Sequence, residues 1–131
     1  MIRTRGLTHI HLIVRDMKRS RAFYCKVFGM QVSFKVGTKL IFLNTPGSKD
    51  AIALHEDSES ARVAGKSGGI AHFGFRLKNA KDIKEVKQKI TEAGGIISDE
   101  GEFLPGSPYV FFKDPDGYEV EVWYELLGPV S

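Results

Sequence analysis

The chain carries four histidines, and all of them fall on strand-like segments where two-residue alternation decides which way each points. In Leu7–Val14 (LTHIHLIV), Thr8, Ile10, Leu12 and Val14 share one face; Leu7, His9, His11 and Ile13 share the other. Ile70–Leu77 (IAHFGFRL) alternates in the same way, with His72, Gly74 and Arg76 opposite Phe73, Phe75 and Leu77. In Asp50–His55 the aliphatic Ile52 and Leu54 point to a core, which turns Ala51, Ala53 and His55 away from it. In Tyr118–Tyr124 (YEVEVWY), Val120 and Val122 are core, and Glu119, Glu121 and Trp123 look the other way. One non-core surface therefore collects His9, His11, His55, His72, Glu119 and Glu121. Imidazoles and carboxylates are the groups that hold divalent ions and exchange protons near neutral pH. A single strand histidine is usually structural; four of four on the non-core face favour chemistry. Glu119, alternating with Val120, reads as an ordinary exposed carboxylate.

The elements that would position these groups come twice. Asp16 stands as an N-cap before a helix whose apolar residues Phe23, Tyr24, Val27 and Phe28 recur at helical spacing, with Gly29 as the stop. Strand-like runs Gln31–Val36, Lys39–Asn44 and Asp50–His55 follow, with Gly37 and Pro46-Gly47-Ser48 in the connections. The stretch 57–69 is polar and small and reads as an exposed connector. A second unit then begins: strand, Asn79 as cap, a helix marked by Ile83, Val86, Lys87 and Ile90, Gly94-Gly95, and strands Gly95–Ile97, Ser107–Lys113 and Tyr118–Tyr124. Asp114-Pro115-Asp116-Gly117 joins the last two strands as a tight turn. His9 and Asp16 lie seven positions apart, as do His72 and Asn79. The chain thus reads as one domain made of two βαβββ modules, about 7–56 and 70–125. Neither module has enough strands to cover its own apolar face, so the two are expected to pair. The expected class is α+β, with curved mixed sheets, helices outside and a concave cavity.

With 131 residues, 42% hydrophobic and 27% charged, the chain has ordinary globular composition, which excludes disordered and fibrous classes. A net charge of +3 spread along the sequence gives no case for nucleic acid. No apolar run approaches the roughly 18 residues of a membrane span, and the first residues lack the apolar centre of a signal peptide. The single cysteine, Cys25, excludes an internal disulfide and reads as a packing thiol on the first helix. A reducing, cytoplasmic setting is the expectation.

Three strings then align with a known pattern: His9-Ile-His-Leu-Ile-Val-Arg-Asp16, the helix Ser20-Arg-Ala-Phe23-Tyr24 with Phe28-Gly29, and Asp114-Pro-Asp-Gly-Tyr-Glu-Val-Glu121. Together they resemble the vicinal oxygen chelate superfamily, which includes glyoxalase I, fosfomycin-resistance and bleomycin-resistance proteins, methylmalonyl-CoA epimerase and extradiol dioxygenases. The resemblance runs from Leu7 to Glu125. It implies three metal ligands: His9 in the first strand, His72 at the matching place in the second module, and Glu121 four residues after the turn glycine. Two imidazoles and a carboxylate leave open positions on one divalent ion, Fe, Mn, Zn or Ni. Those positions suit two adjacent substrate oxygens, whose developing negative charge the ion would stabilise. By the same resemblance a homodimer is expected, with His9 from one chain and His72 and Glu121 from the other.

The sequence departs from the glyoxalases at their fourth ligand, whose slot falls on Ala53. An alanine neither ligates nor acts as a base, which sets glyoxalase chemistry in doubt. His55 lies two residues further on the same face. The three-ligand pattern is closer to the extradiol dioxygenases and the fosfomycin-inactivating enzymes. Ring cleavage, isomerisation and addition to an epoxide all stay open. His55, His11 and Tyr109 are candidate acid–base groups. Phe34, Phe42, Phe111 and Trp123 are candidates to line an apolar substrate pocket, and Arg76 to pair an anionic substrate group. The alternative is a metal-free protein of the bleomycin-resistance type that sequesters a small planar molecule.

Overall fold

The computed structural model describes residues 1–66 and 68–126. The chain divides into two compact units, 1–62 and 63–131, and each is an α-helix packed on one face of a four-stranded mixed sheet.

In unit 1, β1 (Ile10–Val14) leads into α1 (Met17–Phe28), followed by β2 (Gln31–Val36), β3 (Leu40–Asn44) and β4 (Ile52–Glu56). The sheet order is β1-β4-β3-β2, with β1 parallel to β4 and the other pairs antiparallel. Asp16 accepts a hydrogen bond from the Arg19 amide at 3.1 Å, which satisfies an orphan donor of the first turn. Gly29 ends the helix at φ 65° and donates to the Cys25 carbonyl. Phe23, Tyr24 and Val27 are buried on α1, and Leu12, Val14, Ile41, Leu43, Ile52 and Leu54 are buried on the sheet. Cys25 is half-buried.

Unit 2 repeats the scheme. β5 (Phe73–Arg76) precedes α2 (Ile83–Glu92), then β6 (Ile96–Glu102), β7 (Pro108–Lys113) and β8 (Glu119–Trp123). The order is β5-β8-β7-β6, again with the first and last strands parallel. Ile90, Val110, Phe112, Val120 and Val122 are fully buried. The duplication reaches the irregularities: the β2/β3 register slips between Val32 and Phe34, and the β6/β7 register between Ile97 and Asp99. A serine fills each bulge. Ser33 donates to the Phe42 carbonyl at 3.1 Å, and Ser98 to Glu119 at 2.6 Å.

Four expectations need correction. β1 starts at Ile10 and β5 at Phe73, so His9 and His72 each stand one residue ahead of their strands. The ladders begin at Ile10–Ile52 and Phe73–Val120, and the upstream Leu7 and Ile70 are almost wholly exposed. β6 extends past Ile97 to Glu102, an acidic strand at the edge of its sheet. Asn79 makes no side-chain cap; a short 3-10 turn over Ala80–Asp82 intervenes before α2. The connector is not wholly exposed either. Ser60–Val63 forms a 3-10 turn, Ala61 and Ala64 are buried, and Asp57 accepts hydrogen bonds from the Ser60 amide and hydroxyl.

The turn before β8 is closed by the Gly117 amide on the Asp114 carbonyl and the Asp114 amide on the Tyr118 carbonyl, and a side chain braces it. Asp114 is buried, and its Oδ1 accepts from the amides of Asp116 and Tyr118, each at 3.0 Å. Asp114→Ala is expected to leave both amides without that acceptor and to cost about 2 kcal/mol or more. Asp114→Asn keeps an acceptor oxygen and should recover most of the loss; thermal unfolding of the two variants measures the difference.

Candidate functional site

The candidate residues lie on the sheet faces opposite the helices. In unit 1, His9 is exposed; its Nδ1 lies 2.5 Å from the Thr8 hydroxyl, and its ring meets Phe42 edge-on, centroids 5.5 Å apart. Phe42 stacks on Phe34 at 4.4 Å. His11 Nε2 and His55 Nδ1 face each other at 3.4 Å. Partial burial, with the imidazoles of His55 and His9 close by, holds His11 below the usual histidine range.

In unit 2, His72 Nε2 lies 3.7 Å from Glu121 Oε1, and the His72 ring meets Phe111 edge-on, centroids 5.0 Å apart. The Glu121 side chain is only 12% exposed. Burial raises its carboxyl above the usual range, and only the nearby His72 opposes that shift. Tyr109 donates its hydroxyl hydrogen to Asp99 Oδ2 at 3.2 Å. Burial, that bond and the charges of Asp99 and Glu121 raise its pKa. Phe103 stacks on Tyr109 at 4.1 Å and meets Trp123 edge-on at 5.8 Å. Phe111, Tyr109, Trp123 and Phe103 therefore form an aromatic wall beside Glu121. Arg76 is engaged by Glu125 at 3.1 Å and is largely exposed.

Comparing the two units position by position shows what each has kept. Phe42 meets the ring of His9 and lies opposite Ala53; Phe111 meets that of His72 and lies opposite Glu121. Ala53 therefore occupies the position that Glu121 holds in the second sheet. The neighbouring strand compensates for size. His11 pairs with Ala53, whereas Gly74 pairs with Glu121. A Cβ on Gly74 would lie 2.9 Å from the Glu121 carbonyl oxygen and 3.3 Å from its Cβ. Gly74→Ala is expected to push β8 away and cost about 1–3 kcal/mol of overpacking, which thermal unfolding measures.

Asp99 and Phe103 are missing from the sequence reading. Their alternation with Gly101 is visible in the sequence, but the bulge at Ser98 reverses parity relative to Ile97 and hides it. Gly101 is the other half of that arrangement, since a Cβ there would come 3.1–3.4 Å from the Tyr109 ring and hydroxyl. Among the described residues, no three histidine, cysteine, aspartate or glutamate side chains converge on one point. His72 and Glu121 form the pair of unit 2, and His9 belongs to unit 1.

The family model of the Glyoxalase/Bleomycin resistance protein/Dioxygenase superfamily matches residues 6–122. The chain belongs to that superfamily. Its relatives include enzymes of different kinds. It is 27% identical over 122 residues to a trivalent organoarsenical cleaving enzyme of Bacillus sp., covering 88% of this chain and 71% of that one. It is 29% identical over 125 residues to mitochondrial methylmalonyl-CoA epimerase of Bos taurus, covering 84% and 67%. In structure it resembles the fosfomycin resistance protein FosX of Listeria monocytogenes, with a TM-score of 0.77 and 23% identity over 97% of both chains. A variant of that FosX is known in complex with Mn(II) and a dihydroxypropylphosphonic acid. The α+β superfamily fold is thus established, and no helix among the described residues is long and apolar enough to cross a membrane.

Proposed function

We propose that this protein is a divalent-metal-dependent enzyme acting on a small molecule that offers two neighbouring oxygens. The supporting observation is the His72–Glu121 pair, 3.7 Å apart beside an aromatic wall. Two ligands of one ion, each about 2.1 Å from it, are at most about 4.2 Å apart, so this donor pair fits. His9 is the third donor in this reading, supplied by a second copy in a homodimer. A bound Fe, Mn, Zn or Ni ion would supply Lewis acidity to the substrate oxygens.

The chain's own groups have separable roles. Glu121 contributes a carboxylate with little access to water, and the edge of Phe111 fixes the plane of the His72 ring. Phe111, Tyr109 and Trp123 give an apolar surface for the carbon skeleton of the substrate, and Phe42 does so in module 1. Tyr109, held by Asp99, is the proton-bearing group beside Glu121; His11 and His55 are the corresponding groups of module 1. Arg76 would exchange Glu125 for an anionic substrate group. With alanine at position 53, module 1 has no counterpart of Glu121, which favours three-donor chemistry over proton shuttling between two carboxylates. Oxygen-dependent ring cleavage and addition to an epoxide are the two such reactions.

The test is direct. Protein purified without chelator should contain about one tightly held ion per chain. It should also turn over either a catechol with Fe(II) under air or fosfomycin with Mn(II) and a thiol or water. Metal-free protein that nonetheless traps planar drug-like molecules would replace this reading with a sequestering function.

A further inference from the structure

In the proposed metal centre module 1 supplies His9, and the His11–His55 pair lies outside the donor set. We propose that His11 and His55 form a second divalent-cation site, contained in module 1, that takes a borderline ion such as Zn(II) or Cu(II) with water completing its coordination. Nε2 of His11 and Nδ1 of His55 stand 3.4 Å apart. At a distance of about 2.1 Å from each, one ion would see them at about 110°, close to the tetrahedral angle. The rings are inclined by 60° with centroids 5.5 Å apart, so their nitrogen edges meet and their faces do not stack.

The backbone fixes that spacing. β1 and β4 are parallel neighbours, His11 stands opposite Ala53 and His55 opposite Ile13, so the two histidines are diagonal partners on one face. The alanine methyl leaves the imidazole of His11 room to lean toward His55. Module 2 cannot repeat this, because Gly74 and Trp123 occupy the corresponding positions. His55 borders a solvent-open cleft of about 830 Å³ whose lining mixes Asp16, Glu56 and Asp57 with Arg15, Lys18 and Lys39, and which gives an ion a way in. The site does not depend on the roles of His72 and Glu121.

The experiment titrates metal-free protein with Zn(II) alone, following the imidazole nitrogens by long-range proton–nitrogen NMR and the stoichiometry by calorimetry. Zn(II) should shift the His11 and His55 ring resonances in the wild type and in His72→Ala. His55→Gln, which keeps a polar side chain of similar length, should bind one ion fewer per chain. Unmoved His11 and His55 resonances at saturating Zn(II), or equal stoichiometry in His55→Gln and wild type, overturn the proposal. If His72→Ala loses all uptake while His55→Gln loses none, this site is refuted and the proposed function stands. The opposite pattern removes the proposed function and leaves this site.

Discussion

His72→Ala is expected to yield folded protein that has lost the ion it would otherwise retain through purification, together with metal-dependent turnover. His72 is exposed ahead of β5, and its ring contacts are the edge-on packing against Phe111 and the 3.7 Å approach to Glu121. Truncating it removes a donor and disturbs little of the core, so thermal stability should change by no more than about 0.5 kcal/mol, as for an ordinary surface substitution. The loss in affinity should exceed the about 10–100-fold that follows removal of a mere outer partner of a ligand. Glu121→Gln is the complementary change. It keeps the volume and removes the charge, and the two substitutions together should cost no more turnover than either alone if both act through one ion. Metal analysis of the purified variants, with unfolding curves alongside, decides the matter: His72→Ala protein that still carries a full complement of ion would refute the ligand assignment.

The largest expected loss of stability comes from a glycine in the connector. Gly65 has φ +70°, and a Cβ there would lie 2.0 Å from the carbonyl oxygen of Gly117 and 2.6 Å from its carbon. The obstacle is backbone, which has no rotamer with which to move aside. Left-handed strain and overpacking each contribute about 1–3 kcal/mol, so Gly65→Ala should cost about 3–5 kcal/mol. In a chain of this size that corresponds to a drop of roughly 10–20 °C in melting temperature. Gly94→Ala is the control, because φ is +93° there but nothing lies within 4 Å of the added carbon. It should lose only the strain component. Equal melting temperatures for the two variants would show that the connector does not pack on the Asp114–Gly117 turn as described. Since that turn feeds β8, Gly65→Ala should also loosen Glu121 and weaken ion binding.

Much of the fold was legible because its signals are local. Alternation assigned Leu12, Val14, Ile52, Leu54, Val120 and Val122 to the core without reference to any other strand, and the matched spacing of His9–Asp16 and His72–Asn79 disclosed the repeat. Asp16 and Gly29 read correctly as helix boundaries because a cap is satisfied within its own turn. Asn79 did not, since a 3-10 turn that no residue pattern announced separates it from α2. The connector looked exposed because alanine and glycine give no hydrophobic pattern even when, as at Ala61 and Ala64, they are packed.

Residue type and two-residue parity thus indicated, from the sequence alone, which side chains turn away from the core: His11, His55, Glu121 and several aromatic rings on the strands, with His9 and His72 just ahead of theirs. The tertiary structure decided which of them meet. That His72 reaches Glu121, that His11 reaches His55, that Ala53 stands where the second sheet has its carboxylate, and that Asp99 and Phe103 support Tyr109 all follow from strand register and from the bulges at Ser33 and Ser98. Register is set by hydrogen bonds between segments distant in sequence, and a slip of one residue exchanges the two faces of a strand. No single segment contains that information.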